Sequence, residues 1–456
     1  MLAVCCMWLL ALALPLAADG QAGDASPSVI ALAAAPSPLS MNEAVALALE
    51  HSPLVRIAEE NYNRATGAVT EAKGGARPNL AISGSYIRND KASEAEFGGG
   101  FPGMEGGGKI VTQPLSTKQA RATLSQPIDI SGLLGASVSA AEYGKVAADA
   151  GLQAARQDVA LGVRSAYLQV LQARDQQTVS QDSVTRLKEY VRIAQVRFDA
   201  GSAPKYDVIR AQTELVNAEQ TLITSQNAGR LAEAQLASVL GMRLPPDMQL
   251  TAPSTGDRDL PPMEDVMARA LTARPEAVAD KAAELAADRG ILIARRGLKP
   301  GMRVDGNLNW NGTTTQLNSR QFSADLMLSV SVPVFDSGVT KGRVEQARAA
   351  AGSAKAASAQ TQLTIRLEVE QAYVSIENAR KRLDSARAVV GQAEEGMRLA
   401  RVRYENGVSA PIEVTDAQLA LTVAQTKLVD SRHDLLLAYA RLARAAADDS
   451  FAVHQN

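Results

Sequence analysis

The chain of 456 residues is long enough for two to four soluble domains, but its composition does not suit thick globular cores. Aromatic residues make up only 4% of it, whereas alanine is abundant, and small side chains favour long helices that pack closely. The formal net charge of −2, from 47 basic and 49 acidic residues, gives no electrostatic footprint for DNA or RNA. Nucleic acid is therefore excluded as a partner.

Residues 1–22 have the layout of a secretory signal peptide. The stretch MLAVCCMWLLALALPLAADG is an apolar run followed by small residues, although no basic segment precedes it. A membrane anchor or a buried helix is the alternative interpretation. Cys5 and Cys6 both lie here, so the mature chain would have no cysteine; apolar sequence continues after Cys5, which disfavours a lipid on it. We expect residues 23–40 to be a flexible N-terminal segment.

The first predicted repeat covers residues 41–243 and begins with one helix at about 41–76. A β-hairpin is predicted at 79–128, with strands at about 80–89 and 119–127. A glycine-rich insertion, EFGGGFPGMEGGG, separates these strands. Loops of this kind are typical of the outer ends of membrane barrels, so we expect the insertion to face outward. An up-and-down soluble sheet is the alternative for such strands.

A long helical hairpin is predicted to complete the repeat at 132–241. No proline lies between Pro127 and Pro204, so the outgoing helix would span roughly 65 to 70 residues and about 100 Å. Apolar residues recur along it every three or four positions, which favours a coiled coil over the core stripe of an ordinary bundle. The members of this seam are Val184, Leu187, Val191, Ala194 and Phe198.

The second repeat is predicted at 263–447, after a proline-rich polar linker at 244–262 and before a tail at 448–456. One of its strands, at about 322–332, alternates apolar and polar residues, as a strand with two different faces requires. The elements follow the order of the first repeat. They are a helix at about 263–296, a β-hairpin at 302–334 and a long helical hairpin at 338–445.

The two repeats are copies of one unit. AQVRFDAGSAPKYDVIRAQTE, at 194–214, aligns without a gap with ARVRYENGVSAPIEVTDAQLA, at 400–420, at an offset of 206. Gly201 and Gly407 suit the left-handed residue that ends a helix, so each segment is predicted to be a tight turn between two helices. A match that continues for more than a hundred residues indicates a tandem duplication of structure.

The strands bear on how the chain could meet a membrane. After the signal peptide no stretch reaches the ~18 uncharged apolar residues that a spanning helix needs, so any crossing must use strands. Four strands would leave open edges in lipid, and several copies would have to pool them. Two copies would give eight strands and three would give twelve.

This order of elements resembles the TolC-type outer-membrane efflux family, over about residues 40–447. Its most specific residues are SVPVFDSG at 331–338 and the RYENG segment with Ala417 and Gln418. Family members are homotrimers. The resemblance therefore implies a mainly α fold with a membrane β-barrel part: twelve strands in the outer membrane of a Gram-negative bacterium and a periplasmic α-helical coiled-coil tunnel.

The resemblance implies a passive exit channel without a cofactor. Such a channel works with an inner-membrane pump that it reaches through a periplasmic adaptor protein. Antibiotics, metal ions, small metabolites and secreted polypeptides all stay open as the exported substrate, and so does the identity of the pump and adaptor.

The resemblance also assigns roles to the turns between the long helices and the return helices. Asp207, Glu413 and Asp416 would form an acidic ring at the periplasmic aperture, where converging carboxylates favour cations and would bind a blocking polyvalent ion. Plain N-terminal helix acids are the alternative for these residues. Adaptor contacts would fall on the turn residues Gly201, Ser202, Gly407, Val408 and Ser409.

Some members of the family have contacts at this tip that hold it shut. The residues that correspond to them here are Arg197, Phe198, Arg210, Arg403 and Tyr404. Asp207 and Arg210 would pair across the tip. VSAP follows Gly407, without the arginine that serves as a latch in those members, so the gate would be held in a different way or would leak more.

Two other classes of protein were weighed. GMEGGGKI, at 103–110, nearly matches a phosphate-binding loop, but isoleucine replaces the hydroxyl residue that holds magnesium. His51, His433 and His454 are isolated, so neither a metal site nor a nucleophile is predicted, and the chain is not expected to be an enzyme. A coiled-coil structural protein of the cell envelope with no pore is the remaining alternative.

Overall fold

The computed structural model describes residues 38–97, 108–245, 248–253, 259–313 and 320–452. The predicted signal peptide, nearly all of the flexible segment that follows it, and residues 98–107 of the glycine-rich insertion lie outside the described residues.

Helices dominate the structure and occur in the same order in both halves of the chain. The two longest contain 67 residues each, which corresponds to about 100 Å. Each is followed by a return helix of 36 residues. The helices are α1 Met41–His51, α2 Pro53–Gly74, α3 Leu133–Asp199, α4 Lys205–Leu240, α5 Met263–Ala273, α6 Pro275–Ala294, α7 Val339–Glu405 and α8 Pro411–Ala446.

Each leading segment consists of two helices, so the expectation of one continuous helix at 41–76 and at 263–296 is wrong. The breaks fall at Ser52 and Arg274, whose extended ψ angles are 123° and 132°. Both residues precede a proline, Pro53 and Pro275, which lacks an N–H group and disfavours the helical conformation of the residue before it. The proline then occupies the first turn of the next helix.

The break in the first leading segment lies against the end of α4. Gly241, with a φ of 72°, ends α4, and a Cβ atom at this glycine would lie 3.2 Å from the carbonyl oxygen of His51. Both α2 and α4 pack along α3, on successive parts of its length. A shorter return helix and a leading helix together therefore extend along one long helix.

The strands form one antiparallel sheet of four and a separate hairpin. The order in the larger sheet is β1-β4-β5-β6, so the two repeats join between β4 and β5. The hairpin of β2 and β3 was not predicted; it flanks the undescribed part of the insertion. The strands are β1 Asn79–Arg88, β2 Ser93–Phe97, β3 Gly108–Gln113, β4 Ser116–Ile128, β5 Gly301–Asn311 and β6 Phe322–Ser331.

The four-stranded sheet has one apolar and one polar face. Its register pairs even-numbered residues with even-numbered ones throughout, for example Ile82 with Ala122 and Ala122 with Leu308. These even positions carry the large apolar side chains, and they are strongly exposed in the single chain: 75% for Ile82 and 63% for Leu308. A single chain leaves this face uncovered.

The opposite face is a ladder of polar side chains. Arg121 Nε donates to Asn309 Oδ1 at 2.7 Å, and Thr123 Oγ1 donates to Asn307 Oδ1 at 2.9 Å. The amide groups of Asn307 and Asn309 in turn donate to Asp325, at 2.8 and 3.1 Å. The sheet therefore has the two-faced pattern of a strand layer between lipid and an aqueous lumen.

Two apolar cores lie among the helices. The main core is fixed near the middle of α3 by buried Tyr167, whose hydroxyl lies 2.8 and 2.9 Å from the carbonyl oxygens of Leu39 and Thr251 and shares its one proton between them. A smaller core lies at the far end of the long helices. In the described part of the chain, no helix combines the length and the apolar composition that crossing a membrane requires.

Candidate functional site

The candidate site is the tip at which both helical hairpins turn. Gly201 and Gly407 adopt φ angles of 70° and 75°, which confirms the predicted left-handed conformation. Ser202 and Val408 then donate their backbone N–H groups to the carbonyl oxygens of Arg197 and Arg403, both at 2.9 Å. These bonds satisfy carbonyl groups that the ends of α3 and α7 leave free.

The two turns differ at their second helix. Pro411 is the first residue of α8, whereas Pro204 precedes the first residue of α4 and acts as its N-cap. Glu413 and Asp207 lie in the first turns of these helices, where their carboxylates complement the helix dipole. Each hairpin tip is thus tightly built from local interactions.

The tip core connects the two hairpins. Tyr404 of α7 is only 2% exposed, and its ring lies 5.4 Å from that of Tyr190 of α3. Tyr190 also donates its hydroxyl to the carbonyl oxygen of Pro411 at 3.2 Å. Burial, together with the nearby Tyr404 and the Asp207 carboxylate, raises the pKa of Tyr190 above its usual range. Tyr190 therefore stays neutral and keeps its hydrogen bond.

Arg197 binds the second hairpin from the first. Its Nη1 donates to the carbonyl oxygen of Tyr404 at 2.5 Å, and its guanidinium lies 4.6 Å from the centroid of the Tyr404 ring. A cation over an aromatic face is attracted by the ring electrons, the more so where water is excluded. The contact joins the two hairpins of one chain.

The other predicted gate residues have different surroundings. Phe198 is 37% exposed and lies outside the tip core, unlike its counterpart Tyr404. Arg403 pairs with Glu413 of its own hairpin at 3.6 Å. Among the described residues no carboxylate lies within 4 Å of Arg210, so the predicted Asp207–Arg210 pair is not formed within one chain.

The three predicted acidic residues are therefore not equivalent. Glu413 is exposed but forms an ion pair with Arg403. Asp416 is also exposed and has no ion-pair partner in the described part of the chain. Asp207 is half-buried beside Tyr190. Nothing in this arrangement resembles a metal centre: within the described ranges no group of three or more His, Cys, Asp or Glu side chains is placed to hold a metal ion.

Sequence reasoning missed a polar layer that separates the tip core from the main core. Arg186 Nε donates to Gln418 Oε1 at 3.1 Å, and Gln418 Nε2 lies 3.3 Å from Ser183 Oγ and 3.1 Å from Thr422 Oγ1. Burial lowers the pKa of Arg186. Polar residues at the position of the apolar seam, such as Ser183, were the signal that would have revealed this layer.

The sequence matches a family model over most of its length. The model of the outer membrane efflux protein family covers residues 44–242 and 266–448. The chain belongs to the outer membrane efflux protein family. It is therefore an outer-membrane channel protein that extends into the periplasm and not an enzyme, and the resemblance to TolC-type proteins is confirmed.

Curated relatives agree with this assignment. The outer membrane efflux protein BepC of Brucella suis biovar 1 is 26% identical over 312 residues, which are 66% of this chain and 66% of that protein. Nodulation protein T of Rhizobium leguminosarum bv. trifolii is 24% identical over 399 residues, 85% of this chain and 81% of the relative.

Solved structures share the fold. The outer membrane protein VceC of Vibrio cholerae superposes with a TM-score of 0.76 at 19% identity, over 90% of this chain and 96% of its own. The open state of the MtrE outer membrane channel of Neisseria gonorrhoeae gives 0.73 at 19% identity, over 90% and 89%. The predicted fold class, long helices joined to a strand-containing part, is confirmed.

Proposed function

We propose that three copies of this chain form a passive duct from the periplasm to the outside. Each copy would contribute four strands to a twelve-stranded barrel and four long or return helices to a tunnel. A periplasmic adaptor would grip the tip turns at Gly201, Ser202, Gly407, Val408 and Ser409 and connect the duct to an inner-membrane pump.

The observation that carries this proposal is the sheet of each chain. Within the described residues, β1 and β6 each pair on one side only, so their other edges leave backbone groups without partners. In lipid such groups are strongly destabilising, and closing the sheet is the way to satisfy them. The exposed apolar face and the polar ladder give the closed barrel an outer and an inner surface.

The helices carry a second feature that suits assembly. An exposed apolar stripe follows α4, and another follows α7. Packing the first stripe against the second stripe of a neighbouring copy would use two different surfaces, and such a contact closes into a ring. The stripe on α4 consists of Tyr206, Ile209, Val216, Ile223 and Leu231; the stripe on α7 includes Leu363, Leu367, Val374, Val389 and Leu399.

Disulfide cross-linking between the sheet edges tests the proposal. Ser83→Cys on β1 is combined with a cysteine at Ser323, Asp325, Met327 or Ser329 on β6, all on the polar face. We expect one of these registers to give covalent dimers and trimers on oxidation in the outer membrane. Each single-cysteine variant is the control. Failure of every pair to cross-link would contradict edge-to-edge closure.

Partnership with a pump is tested separately. In a strain that lacks its own efflux channels, the chain should restore resistance only when a compatible adaptor and pump are present. Substitution of Val408, which is 70% exposed, by glutamate would place a charge on the proposed adaptor surface and should abolish this resistance while conductance in a planar bilayer is kept. Resistance without any adaptor would contradict the proposed tripartite function.

A further inference from the structure

The apolar face of the sheet carries a furrow along β4. Small residues form its floor, because Ala122 lies between Ile82 and Leu308, and Ala120 lies between Gly84 and Trp310. Ile82 and Leu308 rise as its walls, and Phe322 and Ala324 of β6 border it beyond β5. The cavity has a volume of about 520 Å³.

The two ends of the furrow differ in chemistry. Toward the helices the next residue of β4 on this face is Leu124, two residues beyond Ala122. Toward the outer loops it opens between Tyr86 and Lys118, which are direct neighbours on β1 and β4. The Trp310 ring extends toward this same end, since a Cβ atom at Gly312 would lie 2.5 Å from its outer edge.

Two cations stand at the open end. Arg88 lies opposite Ser116, two pairs beyond the pair of Tyr86 and Lys118, and therefore shares their face. Diagonal neighbours of this kind have Cβ atoms about 7 Å apart, close enough for both side chains to reach one phosphate group. Both residues are exposed, and no carboxylate in the described ranges lies within 4 Å of either.

The furrow would stay open in an assembled barrel. Its lining extends from Ile82 on β1 across β4 and β5 to Phe322 and Ala324 on β6, and β4 and β5 are the interior strands of the sheet. Neighbouring copies would pair with the outer edges of β1 and β6 and leave it uncovered. Its walls would then face lipid directly.

We propose that this furrow binds a phosphorylated, acylated lipid of the outer leaflet, the class to which lipopolysaccharide belongs. An acyl chain would lie over Ala120 and Ala122, and Lys118 and Arg88 would bind the phosphate. Aromatic side chains such as Tyr86 and Trp310 are suited to the level of the headgroups, and basic side chains extend from apolar surface toward charged groups. The inference rests on the proposed function, which places the loops outside.

The choice of lipid follows from the position of the charges. Arg88 and Lys118 lie at the loop end of the sheet, next to the β2–β3 hairpin, and therefore at the outer leaflet in the proposed orientation. An anionic phospholipid of the inner leaflet would meet the opposite end, on the side of Leu124. If the site is specific for such a lipid, both its phosphate and its acyl chain must contribute to binding.

Native mass spectrometry of the purified trimer with added lipid A is the test. The probes are hexa-acylated lipid A with two phosphates and the same lipid after phosphatase treatment. We expect the phosphorylated form to be retained on the wild-type trimer and to raise its melting temperature, and the dephosphorylated form to bind roughly 30-fold more weakly, since each basic contact contributes several-fold. Equal retention of both forms would overturn the proposal.

Variants locate the site. Arg88→Glu combined with Lys118→Glu should weaken binding of the phosphorylated lipid at least as much, and Ala122→Phe should do so by filling the floor. Lys355→Glu, on the exposed surface of α7, is the matched control and should bind as the wild type does. Wild-type affinity in both site variants would also overturn the proposal. A chain that gives no trimer at all would instead contradict the proposed function.

Discussion

Corresponding residues of the two repeats have different surroundings at the tip. Arg197 crosses to the second hairpin and covers Tyr404, whereas Arg403 pairs with Glu413 beside it. Tyr404 is buried and Phe198 is largely outside the core. A sequence alignment assigns equal roles to such pairs because it compares residues without their neighbours. The structure therefore reduces five gate candidates to one bridging contact within the chain.

Removal of this contact should loosen the tip. Arg197→Ala deletes a hydrogen bond and a cation–π interaction, each of which contributes about 1 kcal/mol in favourable settings. We expect several-fold more frequent opening, or a larger conductance, in planar-bilayer recordings. Arg192→Ala is the control, because Arg192 pairs with Glu189 on its own helix. Equal conductance of Arg197→Ala and the wild type would exclude Arg197 from the gate.

The acidic residues of the tip should differ in their effect on block by polyvalent cations. Asp416 has no ion-pair partner in the described part of the chain, and Glu413 is partly neutralised by Arg403 at 3.6 Å. Asp416→Asn should therefore raise the half-blocking concentration of a trivalent cation roughly tenfold, and Glu413→Gln should raise it less. Bilayer recordings measure both values. A larger effect of Glu413→Gln would mean that Arg403 turns away in the assembled tip.

At the scale of elements, the long helices were predictable and their interruptions were not. The lack of proline and the presence of an apolar seam predicted the bounds of α3 and α7 to within a few residues, since both signals extend over many turns. Pro53 and Pro275 occupy corresponding positions in the two repeats, but a proline inside an apolar pattern also suits the first turn of a helix. The hairpin of β2 and β3 lacks regular alternation, so no periodicity indicated it.

The tip glycines should be costly to replace, unlike glycines within the helices. At Gly201 a Cβ atom would meet no other group within 4 Å, so Gly201→Ala tests the φ angle of 70° alone. We expect a loss of about 1 kcal/mol in local stability. Gly396→Ala, at an equally open position in α7, should stabilise by up to about 1 kcal/mol. Hydrogen exchange of the tip amides compares the two, and a stabilising Gly201→Ala would contradict the assigned turn.

A network of charges joins α3, α6 and α8. Burial alone would raise the pKa of Glu276, but hydrogen bonds from Arg444 and Arg274 outweigh it and lower the pKa to about 2. Arg444 Nε also donates to Asp158 at 2.7 Å. A carboxylate whose pKa is lower in the folded chain stabilises the fold at pH values above its unfolded pKa of 4.5.

Glu276→Gln should therefore destabilise the helical part by about 2 kcal/mol at neutral pH. The difference from the wild type should shrink as the pH falls from 4.5 toward 2, where the wild-type carboxylate becomes protonated. Urea unfolding at several pH values measures it. Glu377→Gln is the control, because Glu377 pairs with Lys381 on the exposed surface of one helix and should matter little. A difference that does not change with pH would show that Glu276 does not stabilise the fold through its charge.

At the scale of the whole molecule, the single chain is incomplete. Its sheet presents large apolar side chains on one face, a hydrogen-bonded polar ladder on the other, and open edges at β1 and β6. The sequence predicted this incompleteness from alternation and from the number of strands. It did not predict the furrow along β4, because a row of small residues becomes a site only when the register places larger ones on both sides.

The mass of the particle extracted by detergent from a separated outer-membrane fraction tests the central claim most directly. Light scattering with correction for bound detergent should give a protein mass close to three mature chains. Three copies would supply twelve strands, which can close into one sheet. A monomer, or a particle that is recovered from the soluble periplasm without detergent, would leave the edges of β1 and β6 unpaired and contradict the duct.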